Sequence, residues 1–174
     1  MIRKGDVFAV KTNSALAGII NFCQKVWSWD SESKYNHAGV IIDETGKTFE
    51  SLAKIGSYDL SQYEGQCIII ARHKEMDDSK FEYGFLKVKG LDGAIYPVLR
   101  LLLHLVRLAK YIHWKYPVCS ELVGKFLNAA GLWRKWWGIT PDILADVWTI
   151  SKHYDVIYEG PLEMAKLTGG ERDV

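Results

Sequence analysis

The apolar positions of this chain fall into two kinds of run, and their periods separate strands from helices. GDVFAV (5–10) predicts a short strand that follows a Gly-Asp turn. HAGVII (37–42) and KTFESLA (47–53) flank the turn sequence DETG and predict a two-stranded hairpin. QCIIIAR (66–72) is apolar without alternation, which predicts a strand covered on both faces. YDVIYEG (154–160) predicts a closing strand. Helical spacing occurs over 14–29, over 77–89 with acids in the first turn, over 119–132 and over 140–148. In the last of these Thr140, Pro141 and Asp142 supply the chemistry of a helix start. The expectation is α+β: a single domain over 1–168, with a small antiparallel sheet packed against several helices and a disordered tail over 169–174.

A length of 174 residues agrees with one domain, and 48% apolar residues with seven Trp and nine Tyr are enough for one core. The net charge of +1 gives no field that would favour nucleic acid as a partner. Three cysteines without CxxC spacing argue against a disulfide framework or a zinc ribbon. The N-terminal MIRKGDVFAV has no signal-peptide core, and no apolar run reaches the roughly 18 residues of a spanning helix. The expected compartment is therefore the cytoplasm, where a thiol stays reduced; a phage-encoded or otherwise exported protein would evade that argument.

Three residues at the edges of apolar runs carry candidate chemistry. Cys119 lies where HWKYPV gives way to the helical SELVGKFL, and Pro117 discourages helix before it. A cysteine at a helix N-terminus faces unsatisfied amide groups and the positive end of the dipole, which favour thiolate. His37 opens the first strand of the hairpin, and Glu50 falls near the end of the second, where it faces His37 if register and side agree. Each has a plainer reading alone: a small buried hydrophobe, a semi-buried histidine, an exposed strand glutamate. Cys23 and Cys67 lie inside apolar runs, and the plainer reading is preferred for both. His73, His104, His113 and His153 have no evident partner in the sequence.

GDVFAVKTNS, YNHAGVII, FESLAKIG, the strand ending IIIAR, YPVCSELV and TPDILADV occur in an order that covers roughly residues 5–148. In these stretches the chain resembles the circularly permuted branch of the NlpC-type papain-like cysteine hydrolases. These are the YiiX-like proteins, with the lecithin:retinol acyltransferases as distant relatives. In papain-like enzymes the cysteine usually precedes the histidine, and here the order is reversed. The resemblance implies a permuted papain-like fold with Cys119 as nucleophile, His37 as general base and Glu50 as orienting residue, and it implies no cofactor or metal. It implies a thiol hydrolase, an amidase, peptidase or esterase, acting on a small peptide, acyl or lipid-like substrate. Two other classes stay open: an acyltransferase using the same triad, and a non-enzymatic binding module. One departure stands out. A Gly-x-x-Tyr-Asp element common before the cysteine segment is replaced here by GAIYP.

In the Leu-rich stretch 94–112, Arg100, His104, Arg107 and Lys110 recur at helical spacing and make one cationic stripe. The segment 98–112 is thus a candidate for peripheral membrane contact, or a core helix with one solvated face. Trp133, Trp136 and Trp137 add either an interfacial cluster, a groove rim, or packing beneath a loop.

Overall fold

The computed structural model describes residues 1–12, 34–95 and 116–168. The expected helix over 14–29, most of the Leu-rich stretch with its cationic stripe, Cys23 and the 169–174 tail lie outside the described residues.

Six strands form one antiparallel sheet: β1 (Val7–Val10), β2 (His37–Ile41), β3 (Lys47–Ser51), β4 (Ile55–Asp59), β5 (Cys67–His73) and β6 (Tyr154–Pro161), in the order β4-β3-β2-β1-β5-β6. The described helices are α1 (Asp78–Lys89), α2 (Cys119–Ala129), α3 (Pro141–Ile150) and the short α4 (Met164–Leu167). None is long and apolar enough to cross a membrane. The α+β expectation holds, and every strand and helix predicted within the described residues is present. β4 and α4 were not anticipated: β4 carries Gly56, Ser57 and Asp59 among its five residues, and α4 is a single turn.

Alternation along the strands sorts the core into two layers. Val7, Ala9, Ala38, Val40, Phe49 and Ile69 face α1, α2 and α3, where Phe81, Leu122, Phe126, Leu144 and Trp148 meet them. Phe8, Val10, Ile41, Ile68 and Ile70 face the other way, under Ile2, Leu60, Tyr63, Leu162 and Leu167. β5 is therefore covered on both sides over Ile68–Ala71, as its continuous apolar run requires. Cys67, at the start of the same strand, is exposed, contrary to the buried position expected for it. The apolar run begins one residue after it.

Helix ends follow their local chemistry. Asp77 caps α1 by accepting from the Lys80 N–H at 2.8 Å, and Thr140 caps α3 with Pro141 at its first position. α1 approaches α2 closely at Gly84, where a Cβ would stand 2.9 Å from the Phe126 carbonyl oxygen. Trp136 is buried, and its backbone lies against Gly124 of α2, while Trp137 stacks edge-on to it at 6.0 Å. Trp136 thus packs on the helix that begins with Cys119.

The Gly-Asp start has a structural task. Gly5 takes a φ of +89°, and Asp6 behind it is wholly buried. Arg72 of β5 donates from Nε and Nη2 to the two Asp6 oxygens at 2.7 and 2.8 Å, and the Arg3 N–H adds a third bond. Asp6→Asn leaves this guanidinium mismatched and is expected to cost about 2–3 kcal/mol. Urea denaturation checks it, and a loss under about 0.5 kcal/mol would mean the pair behaves as a surface pair.

Candidate active site

Two elements meet at the end of the sheet where β2 begins. α2 is anchored by Leu122, Val123, Phe126 and Leu127, all out of solvent and worth about 1.5–3 kcal/mol each, so its first residue has a fixed place. That residue is Cys119, buried in the first turn. The first intrahelical bond runs from the Leu122 N–H to the Val118 carbonyl, which leaves the N–H groups of Cys119 and Ser120 without acceptors inside the helix. Glu121 reaches back to the Val118 N–H at 3.4 Å and accepts from the Gly138 N–H at 2.8 Å. It thereby ties the tryptophan loop to the turn that holds the thiol. Ser51, the last residue of β3, donates to the Pro117 carbonyl at 3.2 Å and joins that turn to the hairpin.

His37 is held from both sides. Asn36, buried before it, exchanges hydrogen bonds with Thr12 at 2.9 Å, and the Lys34 and Tyr35 N–H groups both donate to Asp142 Oδ1 at the start of α3. The His37 ring lies among Phe8 and Tyr63 and is 6% exposed as a residue. Its Nε2 is 2.6 Å from Glu50 Oε2, and Cys119, the first residue of α2, is close enough to raise the pKa of the ring. With Nε2 engaged by Glu50, Nδ1 is the ring nitrogen left for the sulfur.

The three residues singled out in the sequence are thus brought together, with His37 in the middle. The register shows how. β2 and β3 pair Gly39 with Glu50, so Glu50 lies diagonal to His37 on the same face rather than opposite it. Its side chain lies back across β2 over Gly39. A Cβ at Gly39 would stand 2.7 Å from Glu50 Cγ and 2.7 Å from the Phe8 ring. A glycine inside a strand is the sequence mark of such a close approach.

Glu50 itself is fully buried and meets four donors. Oε2 accepts from His37 and from the Tyr63 hydroxyl at 2.6 Å each, while Oε1 accepts from the Thr48 hydroxyl and, at 3.4 Å, from Gln62 Nε2. Tyr63, Thr48 and Gln62 were not anticipated. Tyr63 arrives on a 3₁₀ turn (Leu60–Tyr63) after β4, and nothing in its local pattern marks it. Tyr35 points elsewhere, its hydroxyl 3.4 Å from Glu159. His73 sits at the far end of β5, stacked on His153.

Burial pulls the His37 pKa down, but the Cys119 sulfur and then the Glu50 carboxylate outweigh it and raise the value to about 10. Burial, then the Glu50 charge, pushes the Tyr63 phenol well above its ordinary range, so it remains a donor at all working pH values.

No protein-family model matches the chain, and no curated protein matches it. Among solved structures, it superimposes on the crystal structure of the metalloprotein YiiX from Escherichia coli O157:H7 with a TM-score of 0.58. Identity is 13%, over 91% of this chain and 97% of that one. The two are similar in fold, a single-domain α+β arrangement. YiiX is described as a metalloprotein, but the described residues of this chain hold no group of three or more His, Cys, Asp or Glu side chains suited to a metal ion. At the His37 site the Glu50 oxygens are already filled by protein donors, so only the Cys119 sulfur and one ring nitrogen remain, short of the four ligands of a usual zinc site. The residues do not fit a metal there, and no step is derived through one.

His37 is expected to remain an imidazolium at pH 8 by 15N NMR, and to titrate lower in Cys119→Ala and in Glu50→Gln, since each removes a group that raises it. A wild-type midpoint near 6.5 would sink this. Gly39→Ala is expected to push Glu50 off His37 and lower stability by about 2 kcal/mol. Wild-type stability with the His37–Glu50 bond intact in that variant would mean the glycine is not needed for the crossing.

Proposed function

We propose that this chain is a thiol hydrolase that cleaves an amide or ester through an acyl-enzyme on Cys119. The observation that carries this reading is the position of His37, bonded to the buried Glu50 at 2.6 Å on one side and raised in pKa by the Cys119 side chain on the other. The chain's resemblance to the permuted NlpC-type hydrolases supports the same assignment of roles.

In the proposed mechanism the thiol proton resides on His37 Nδ1, and the sulfur adds to the carbonyl carbon of the substrate. The carbonyl electron pair moves onto oxygen, where the Cys119 N–H at the open helix start donates to it. Collapse of this adduct breaks the bond to the amine or alcohol, which leaves with the proton from His37 and generates a thioester. His37 then takes a proton from water as the hydroxyl attacks the thioester; collapse breaks the carbon–sulfur bond, the acid departs, and the sulfur is released with the proton kept on His37 Nδ1, as at the start. Glu50 does not exchange a proton in this cycle. It holds the Nε2–H side of the imidazole and stabilises the imidazolium form. The peptide, acyl or lipid-like nature of the substrate is an expectation from the resemblance.

An activated aryl ester tests the proposal without knowledge of the natural substrate. Intact-mass and peptide mass spectrometry are expected to find the acyl group on Cys119, not on the exposed Cys67. Cys119→Ala is expected to lower turnover roughly 10³-fold or more with its melting temperature nearly unchanged. Acylation distributed among the cysteines, or Cys119→Ala collapsing the fold, would make Cys119 a core residue instead.

A further inference from the structure

We infer that Tyr63 and Thr48 are positioning residues for His37, each donating a hydroxyl to one oxygen of Glu50 and so holding the carboxylate in place against His37 Nε2. The inference rests on the hydrolase reading above for its catalytic meaning, but its geometric content is separate. Neither hydroxyl is needed for packing. Tyr63 is buried among Phe8, Ile68 and Leu60, where phenylalanine would fill the same space, and Thr48 is a buried strand residue that valine would match in shape. A buried hydroxyl costs stability unless it is bonded, and both find their acceptor in Glu50.

Proton accounting then gives them a task. The Tyr63 phenol stays protonated, so at Oε2 it is always the donor and the carboxylate oxygen always the acceptor. His37 Nε2 meets that same oxygen at 2.6 Å. Two groups can share one carboxylate oxygen if both donate, so Nε2 carries its hydrogen. The neutral imidazole is then held in the tautomer whose lone pair sits on Nδ1, the nitrogen left for the Cys119 sulfur. Thr48 does the same for Oε1 and stops the carboxylate from rotating about its own axis. Gln62, exposed and at 3.4 Å, is a weaker third support. The groups facing His37 and its partners are Cys119 from α2, Glu50 and Thr48 from β3, and Tyr63 from the 3₁₀ turn.

The experiment reads two quantities in the full chain: the second-order rate of Cys119 alkylation by iodoacetamide at pH 7, and the 15N shifts of His37. In Cys119→Ala, above the His37 titration, the shifts are expected to report one tautomer, with the proton on Nε2. Adding Tyr63→Phe is expected to keep that tautomer and to move the Nε2 shift as its bond to Glu50 loosens. In the otherwise native chain, Tyr63→Phe is expected to slow alkylation about tenfold, and to have no further effect once Glu50→Gln is present. Thr48→Val is expected to slow it similarly and Thr48→Ser to restore it, which covers the case where Tyr63→Phe does not fold. An unchanged Nε2 shift and rate in the Tyr63 and Thr48 variants would overturn the inference, as would an equal loss of rate in the Glu50→Gln background. If native Cys119 proves inert while the Nε2 shift moves as expected, the hydrolase reading fails and the positioning role stands. A reactive Cys119 that ignores both hydroxyls means the opposite: the positioning role fails and the hydrolase reading stands.

Discussion

Everything at the site depends on one carboxylate that has no contact with water. An isolated ionised carboxylate so placed would cost several kcal/mol or more, and it is tolerable only when its lone pairs are met. Glu50 is met by His37 from β2, Thr48 from its own strand, and Tyr63 and Gln62 from the turn beyond β4. A buried polar network of this kind is worse than an apolar core when only partly formed. The hairpin register, the bare backbone at Gly39 and the return of the chain after β4 must therefore all be correct together. Folding of this edge of the sheet and assembly of the candidate triad are one event.

The thiol side obeys a different constraint. α2 is fixed by apolar burial against one face of the sheet, yet His37 and Glu50 belong to the row of residues on the other face. They meet Cys119 because all three stand at the same end of the strands, where a helix start and a strand start can come together past the sheet's edge. Dispersion and hydrophobic burial place the sulfur; hydrogen bonding places the imidazole. Ser51 joins the two systems through its bond to the Pro117 carbonyl.

Much of this could be read along the chain. Continuous and alternating apolar runs located five of the six strands, and the first-turn acids after residue 77 and the cap at Thr140 marked two helix starts within a residue. His37, Glu50 and Cys119 were legible because each combines reactive chemistry with the edge of an apolar run. β4 was not, since only Ile55 of its five residues is buried, glycine and serine follow it, and it gains its backbone partners from β3. Cys67 looked buried because sequence shows the run but not which residue starts the covered part. Tyr63 and Thr48 were hidden for a stronger reason. A tyrosine in a polar turn and a threonine in a strand are ordinary residues, and only the three-dimensional return of the chain gives their hydroxyls a common acceptor.

Gly39 shows how the two kinds of information join. In the sequence HAGVII it weakens a strand and invites a reading as a bulge or a close contact. In the structure it is the empty site over which Glu50 crosses to His37, so the diagonal pairing substitutes for a direct one. The diagonal path brings Glu50 Oε2 to His37 Nε2, where the Tyr63 hydroxyl donates to the same oxygen. The order in which cysteine and histidine occur along the chain has no bearing on this, since the site needs only a strand start, a neighbouring strand and a helix start at one end of a sheet. Any connection that delivers those three ends together yields the same geometry, and here the histidine hairpin comes before the cysteine helix.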